Sequence, residues 1–261
     1  MTTQQLFYEN AVPISHQRHG GWSVEVGADF GFSRHVNSLP VMAVEFPFAS
    51  TEYAIVFAGS DQAVMPAAIV GVRNNENLFV DDAGAWTARY VPAFARRYPF
   101  IFASSQDGQT FTLCIDEAFP GVNQAGRGAA LFDPEGKPTE YVQNVLKFLQ
   151  EYQAQFQRTQ QFCKKLRDHN LLEPMQAQIT TAKGEKMSLS GFMTISRDRL
   201  KTLTGEALAD LAKTDELELI YLHLHSMRNF QSMIERLEKA PVVSVDTSVK
   251  DPLPAGTGTV N

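Results

Sequence analysis

The residues best placed for chemistry are Arg96 and Arg97, in the stretch YVPAFARRYPF, where a guanidinium can hold a carboxylate or phosphate through paired N–H donors. The span before them, NNENLFVDDAGAW, adds Asp81 and Asp82 side by side. A calcium loop needs alternating oxygen ligands closed by a distant bidentate glutamate. Adjacent side chains on an extended chain point to opposite faces, no such glutamate follows, and Gly84 marks a turn. Residues 74–86 therefore read as a sheet edge and turn rather than a metal site. In HLH, His223 and His225 stand about 200° apart on a helix and cannot share one ion there, although on a strand they would. The apolar run from Leu219 to Leu222, with a pattern that continues to Leu237, favours the helix. His223 then reads as a buried imidazole whose nitrogens are satisfied by Ser226, Asn229 or a backbone carbonyl of the sheet. His16 and His19 have no carboxylate close to them in sequence. Candidate binding residues are thus Arg96, Arg97, His223 and Asn229, with no catalytic residue and no metal ligand named.

The other chemical motifs fall away. Cys114 and Cys163 lack CxxC spacing, which leaves a disulfide or two buried thiols, and the thiol form is the simpler reading. Gly121–Pro138 is rich in glycine, but it has neither the Lys–Ser/Thr pair of a phosphate loop nor dinucleotide spacing. No HExxH or GxSxG is present. Asp116–Glu117 and Asp81–Asp82 are carboxylate pairs without a partner across a cleft. The expectation is a protein without catalysis and without a cofactor.

Composition narrows the class further. The 261 residues are 44% hydrophobic and 20% charged, with 23 basic against 29 acidic side chains and a net charge of −6. That balance offers no cationic face for nucleic acid. No apolar run approaches the roughly 20 residues a membrane-spanning helix needs. The N-terminal MTTQQLFYENAVPISHQRHGG lacks the basic and apolar regions of a secretory signal, so cytoplasmic residence is expected.

The elements that must position these residues divide into two halves. WSVEV, Val41–Phe48, Tyr53–Ala58, Met65–Val72, YPFIFAS and TFTLCID read as about six strands of one mostly antiparallel sheet, the last two joined by a turn at Asp107–Gly108. Tyr90, Val91, Phe94 and Tyr98 are spaced to pack on that sheet. From Thr139, a plausible N-cap, Val142, Val145, Leu146, Leu149, Tyr152, Phe156, Phe162 and Leu166 form a helical stripe ending near Asn170. A hairpin follows around Lys183–Gly184, with Ile179 and Leu189 facing a core. One or two short helices come next, N-capped by Ser196 and Thr204, and then one helix carrying Ile220, His223, Met227, Phe230 and Ile234 on a single face. The fold class is α+β. The expected divisions are a β-rich region (1–120), a Gly/Pro loop (121–138), a helix–hairpin–helix region (139–240) packed with the sheet as one unit, and a disordered tail (241–261).

The phrases YENAVPIS…H, FSRHVNSLPVMAVEFP, GVRNNENLFVDDAGAW…YVPAFARRYPF, LCIDE, FLQEYQAQFQRTQQFCKKLRDHNLLEPMQA and LIYLHLHSMRNF carry more information in order than singly. Together they resemble the bacterial SapC family from Tyr8 to about Leu237. The resemblance implies association with a paracrystalline surface layer and brings no catalytic residues with it. Relatives beside genes for TonB-dependent receptors and flavin-dependent tryptophan halogenase-like proteins imply instead an uptake or modification pathway. A peptide permease subunit of the same name spans the membrane repeatedly, and this chain has no stretch for that. Two expectations follow. One is a non-enzymatic surface-layer or accessory interaction protein with protein partners, reaching the surface by a non-Sec route. The other is a cytoplasmic ligand-binding protein or enzyme with a pocket between the sheet and the long helix.

Overall fold

The computed structural model describes residues 6–59, 63–105, 110–180 and 184–239. The turn at Asp107–Gly108, Lys183 and the tail from Pro241 lie outside them. The strands are β1 (Ala11–Pro13), β2 (Ser23–Val24), β3 (Ser38–Pro40), β4 (Ala54–Ala58), β5 (Met65–Ile69), β6 (Phe100–Ser104), β7 (Phe111–Asp116), β8 (Val122–Asn123), β9 (Ala129–Ala130), β10 (Leu172–Thr180) and β11 (Lys186–Ile195). The α-helices are α1 (His16–His19), α2 (Phe46–Ala49), α3 (Ala93–Arg96), α4 (Glu140–Asp168), α5 (Arg197–Lys201), α6 (Gly205–Lys213), α7 (Glu216–Ser226) and α8 (Asn229–Lys239). The α+β class holds, and every strand pairing is antiparallel.

The strands do not form one sheet. They divide into β1-β7-β6, β10-β11-β4-β5-β3 and β8-β2-β9. The C-terminal hairpin extends the sheet begun by β3, β4 and β5, a long-range pairing that no local pattern encodes. WSVEV contributes only Ser23–Val24, and the Gly/Pro loop supplies β8 and β9 on either side of it. Val41–Phe48, expected as a strand, is instead a 3-10 turn at Ala43–Glu45 running into α2. Two local facts explain this. Pro47 cannot donate to a ladder but suits the first turn of a helix. The Glu45 carboxylate reaches back to accept the Met42 N–H at 2.6 Å, closing that turn.

The long helix matches its stripe. Thr139 caps α4 by accepting from Val142 N–H, and Asn170, at φ 52°, turns the chain away as the Leu171 N–H bonds back to Leu166 C=O. Its first half packs Val142 and Leu149 with Val24, Phe100, Ile115 and Leu131. Its second half packs Phe162, Cys163 and Leu166 with Leu39, Phe46, Ile55, Phe57 and the C-terminal Leu200, Leu211 and Ile220. Both cysteines are buried free thiols. Ser196 and Thr204 stand at the N-caps of α5 and α6, as the sequence suggests.

The final helix, expected as continuous, is broken between Ser226 and Asn229. The Ser226 hydroxyl bonds the His223 carbonyl at 2.7 Å, and the Asn229 side chain leaves for the backbone of residues 50 and 53. Such side chains compete with the helical ladder. The turn redirects α8 so that Met233 and Leu237 cover Ala54, Val56, Ala67 and Ile179, on a second cluster of the five-stranded sheet.

Leu149 is 2% exposed. Leu149→Ala should lower unfolding free energy by about 2–5 kcal/mol in urea denaturation, whereas Gln153→Ala, off the buried stripe, should leave it near the wild-type value.

Candidate functional site

The stretch before the arginines is held by its own hydrogen bonds. Asp81 Oδ1 accepts the Ala83 and Ala85 N–H groups at 3.0 and 2.9 Å, and Val80 bridges Trp86 across the turn where Gly84 adopts φ 85°. Asp81 is thus spent on closing a turn, while Asp82 is exposed.

Arg96 and Arg97 leave α3 on different sides. Arg97 meets neither a carboxylate nor open solvent among the described residues. Instead it is 9% exposed, its guanidinium carbon 4.1 Å from the Phe94 ring centroid, 4.9 Å from Tyr152 and 5.8 Å from Tyr8, and its Nε has no hydrogen-bond partner among the described residues. Aromatic faces hold this buried cation. Arg96 is exposed, stacked 5.7 Å over Tyr90 and 5.4 Å over Phe148, with Nε donating to Val91 C=O at 3.0 Å.

Around Arg96 lies a cleft of about 270 Å³. One wall is the α4 face carrying Phe148, Glu151, Tyr152 and Gln155, which sit together because steps of three and four share a helix face. The other walls are Met42–Phe48 and Tyr90–Arg96. Glu45 fastens them: Oε2 accepts from Met42 N–H, while Oε1 accepts from the Tyr90 hydroxyl at 2.7 Å and the Ala93 N–H at 2.8 Å. Burial raises the carboxyl pKa, opposed by those hydrogen bonds. At the mouth, Phe48 is 61% exposed and stacks on Tyr90 at 5.6 Å. In the wall, Gln155 Nε2 donates to Glu151, but its buried Oε1 has no partner among the described residues. A larger hollow of about 450 Å³ sits at the hairpin bulge between Gln176 and Gly191, and among the described residues no ionisable side chain lines it. The smaller cleft holds the recognisable chemistry.

His223 and Asn229 serve a different place. The imidazole is fully buried: Nδ1 donates to Ile55 C=O at 2.9 Å and Nε2 accepts the Ile195 N–H at 3.1 Å, with Thr194 Oγ1 at 3.0 Å. The sheet carbonyl anticipated as a partner is therefore that of Ile55. Asn229 donates to Ser50 and Tyr53 carbonyls at 2.8 and 2.9 Å. Neither lines the cleft. The sequence also missed His19, whose Nε2 lies 3.1 Å from Glu117 Oε1, a carboxylate that Arg18 grips in a bidentate pair. Nearly a hundred residues separate them, so no spacing could show it. The residues most plainly overlooked are Glu45, Phe48, Phe148 and Gln155. The one local signal was a glutamate inside an apolar run.

An α+β protein with three antiparallel sheets, a long bridging helix and an aromatic cleft beside it is the class so defined. The SapC family matches over residues 14–233, and the chain belongs to that family. No curated protein and no solved structure matches it. Among the described residues, no helix is long and apolar enough to cross a membrane.

Asp81→Ala should cost about 1 kcal/mol, Asp82→Ala close to nothing, and millimolar calcium should not shift the melting temperature of either variant relative to wild type. Burial pushes the His223 pKa down from 6.5 to about 4. The unfolded chain then takes up this proton first. The stability is complete above about pH 6.5 and is lost as pH falls toward 4, by roughly 3 kcal/mol in full. His223→Gln should lower stability at pH 7 and flatten the acid limb of a urea-denaturation series.

Proposed function

We propose that this SapC-family protein is a non-enzymatic accessory binding protein of the bacterial surface layer, and that the cleft around Arg96 is where it binds. The observation that supports binding over catalysis is the state of Glu45. Its oxygens accept three hydrogen bonds from the walls of the cleft, so this buried carboxylate is occupied in holding the shape of the site. What the cleft presents outward is contact surface: the uncovered Phe48 ring, Val44 at 48% exposure and the Arg96 guanidinium fixed between two rings. Large apolar side chains grouped at a concave mouth mark a binding place. Surface-layer association is the part of the reading that comes from the family.

A second reading, a cytoplasmic ligand-binding protein or enzyme of an uptake pathway, is favoured by the concavity of the site and its position against the long helix. Fractionation of the native host separates the two. Wild-type protein should be recovered in the surface-layer extract. Phe48→Ser should shift it to the soluble fraction while its melting curve stays near wild type, because an exposed substitution costs no more than about 0.5 kcal/mol. Strictly cytosolic wild-type protein would favour the second reading.

A further inference from the structure

The polar groups of the cleft differ in what they lack. Arg96 is immobilised by two rings and by its Nε bond to Val91, and its Nη2 has only a long 3.5 Å contact with the Tyr90 hydroxyl. It makes no ion pair among the described residues, so the outer edge of the guanidinium is a preorganised donor pair for a carboxylate. About one to two helical turns along α4 from the Phe148 ring that supports it, the requirement reverses. Among the described residues, Glu151 is an exposed carboxylate that receives only Gln155 Nε2, and Gln155 Oε1 is a buried acceptor with no donor. A buried acceptor left unsatisfied costs free energy until a donor reaches it. Arg96 and Glu151 form no ion pair with each other, so neither removes the other's demand.

We infer that the cleft binds a free apolar α-amino acid, its carboxylate on Arg96, its ammonium between Glu151 and Gln155 Oε1, and its side chain against Phe48 and Phe148. Three features select this ligand over a simple anion or cation. An anion alone would meet the Glu151 charge, and a cation alone would meet Arg96. A zwitterion, whose two charged groups are carried by one carbon, satisfies both. The volume, about 270 Å³, lies just below the range of about 300–1,000 Å³ usual for drug-sized ligands, which suits a single small amino acid. Glu45 does not compete for the ammonium, since its oxygens are committed to Met42, Tyr90 and Ala93. A neutral Gln155 amide can turn only one end to Glu151, and it turns the N–H₂. That leaves the oxygen as the unpaired acceptor in this wall of the cleft among the described residues.

This inference rests on the reading of the cleft as a binding site, and its test is separate from fractionation. Isothermal titration calorimetry on the full chain would use L-phenylalanine, L-leucine, N-acetyl-L-phenylalanine and L-phenylalaninamide. Both free amino acids should bind saturably, and each blocked analogue should bind weaker by about tenfold or more, as expected for loss of a charged hydrogen bond. Arg96→Gln should weaken phenylalanine by a similar factor and erase the difference between the acid and its amide. Gln155→Leu removes an unsatisfied buried acceptor, so it should keep or raise the melting temperature while abolishing the preference for the free amine. That combination would not arise from a structural role. Absence of saturable binding by both amino acids overturns the inference. So does equal binding of N-acetyl-phenylalanine, which would assign the cleft to a polypeptide C-terminus, or of phenylalaninamide, which would assign it to an N-terminus. If Phe48→Ser shifts the protein between fractions but no amino acid binds, the ligand assignment fails and the accessory role stands.

Discussion

The architecture depends on one imidazole placed where two strands stop meeting. β4 and β11 pair at Phe57 and Met193, and two residues further along that register Ile55 faces Ile195. Their backbone groups do not bond each other. His223 stands between them, donating to the carbonyl of Ile55 and accepting the N–H of Ile195. The Ile55 N–H, which also lacks a strand partner, bonds the Ser226 hydroxyl. Buried backbone groups must find partners, and α7 supplies them. The hairpin is thereby joined to the sheet through a side chain instead of a full ladder. The imidazole must be neutral with its proton on Nδ1 for both bonds to exist, and burial keeps it so.

The same region sets the path of the C-terminus. Ser226 and Asn229 spend their side chains on the β4 region and on the helix before them, and the helical ladder breaks between them. α8 then covers the sheet face opposite the main core, which gives the sheet two buried faces and accounts for the apolar runs of β4 and β5. The cleft is built by the same means, with a buried carboxylate in place of the imidazole. Glu45 draws Met42, Tyr90 and Ala93 onto one group, so segments nearly fifty residues apart become adjacent walls. Tyr53 extends that anchorage, bonding the carbonyl of Tyr90 through its hydroxyl and accepting from Trp86 Nε1 at 2.8 Å. In both places a polar group in the interior specifies geometry because leaving any of its partners unpaired would be costly.

The arginine pair shows how context separates identical chemistry. Arg96, the last residue of α3, and Arg97, which caps it, point to different surroundings. Arg97 is enclosed by Phe94, Tyr152 and Tyr8, and its Nε has no hydrogen-bond partner among the described residues. Arg96 keeps its terminal donors outward at the cleft. Tyr152 is shared, since its ring lies against Arg97 and also lines the cleft.

The sequence by itself determined what depends on local periodicity and local capping. The α4 stripe, its Thr139 cap and its end at Asn170, the hairpin strands β10 and β11, the strands at 54–58 and 65–69, and the turn at Gly84 were all legible, because each is decided by residues within a few positions of one another. The burial of His223 was legible from its place on an apolar helical face. Only the tertiary structure decided how strands divided among three sheets, since pairing between distant segments leaves no short-range trace. It also overrode the strand pattern of Val41–Phe48, where a glutamate satisfied by Tyr90 and Ala93 stabilises a helical turn. The cleft was not legible for the same reason. Arg96 was visible as a residue, but Phe48, Phe148 and Gln155 became its neighbours only when α4 was laid against the turn at Glu45, by packing forces that act between parts of the chain far apart in sequence.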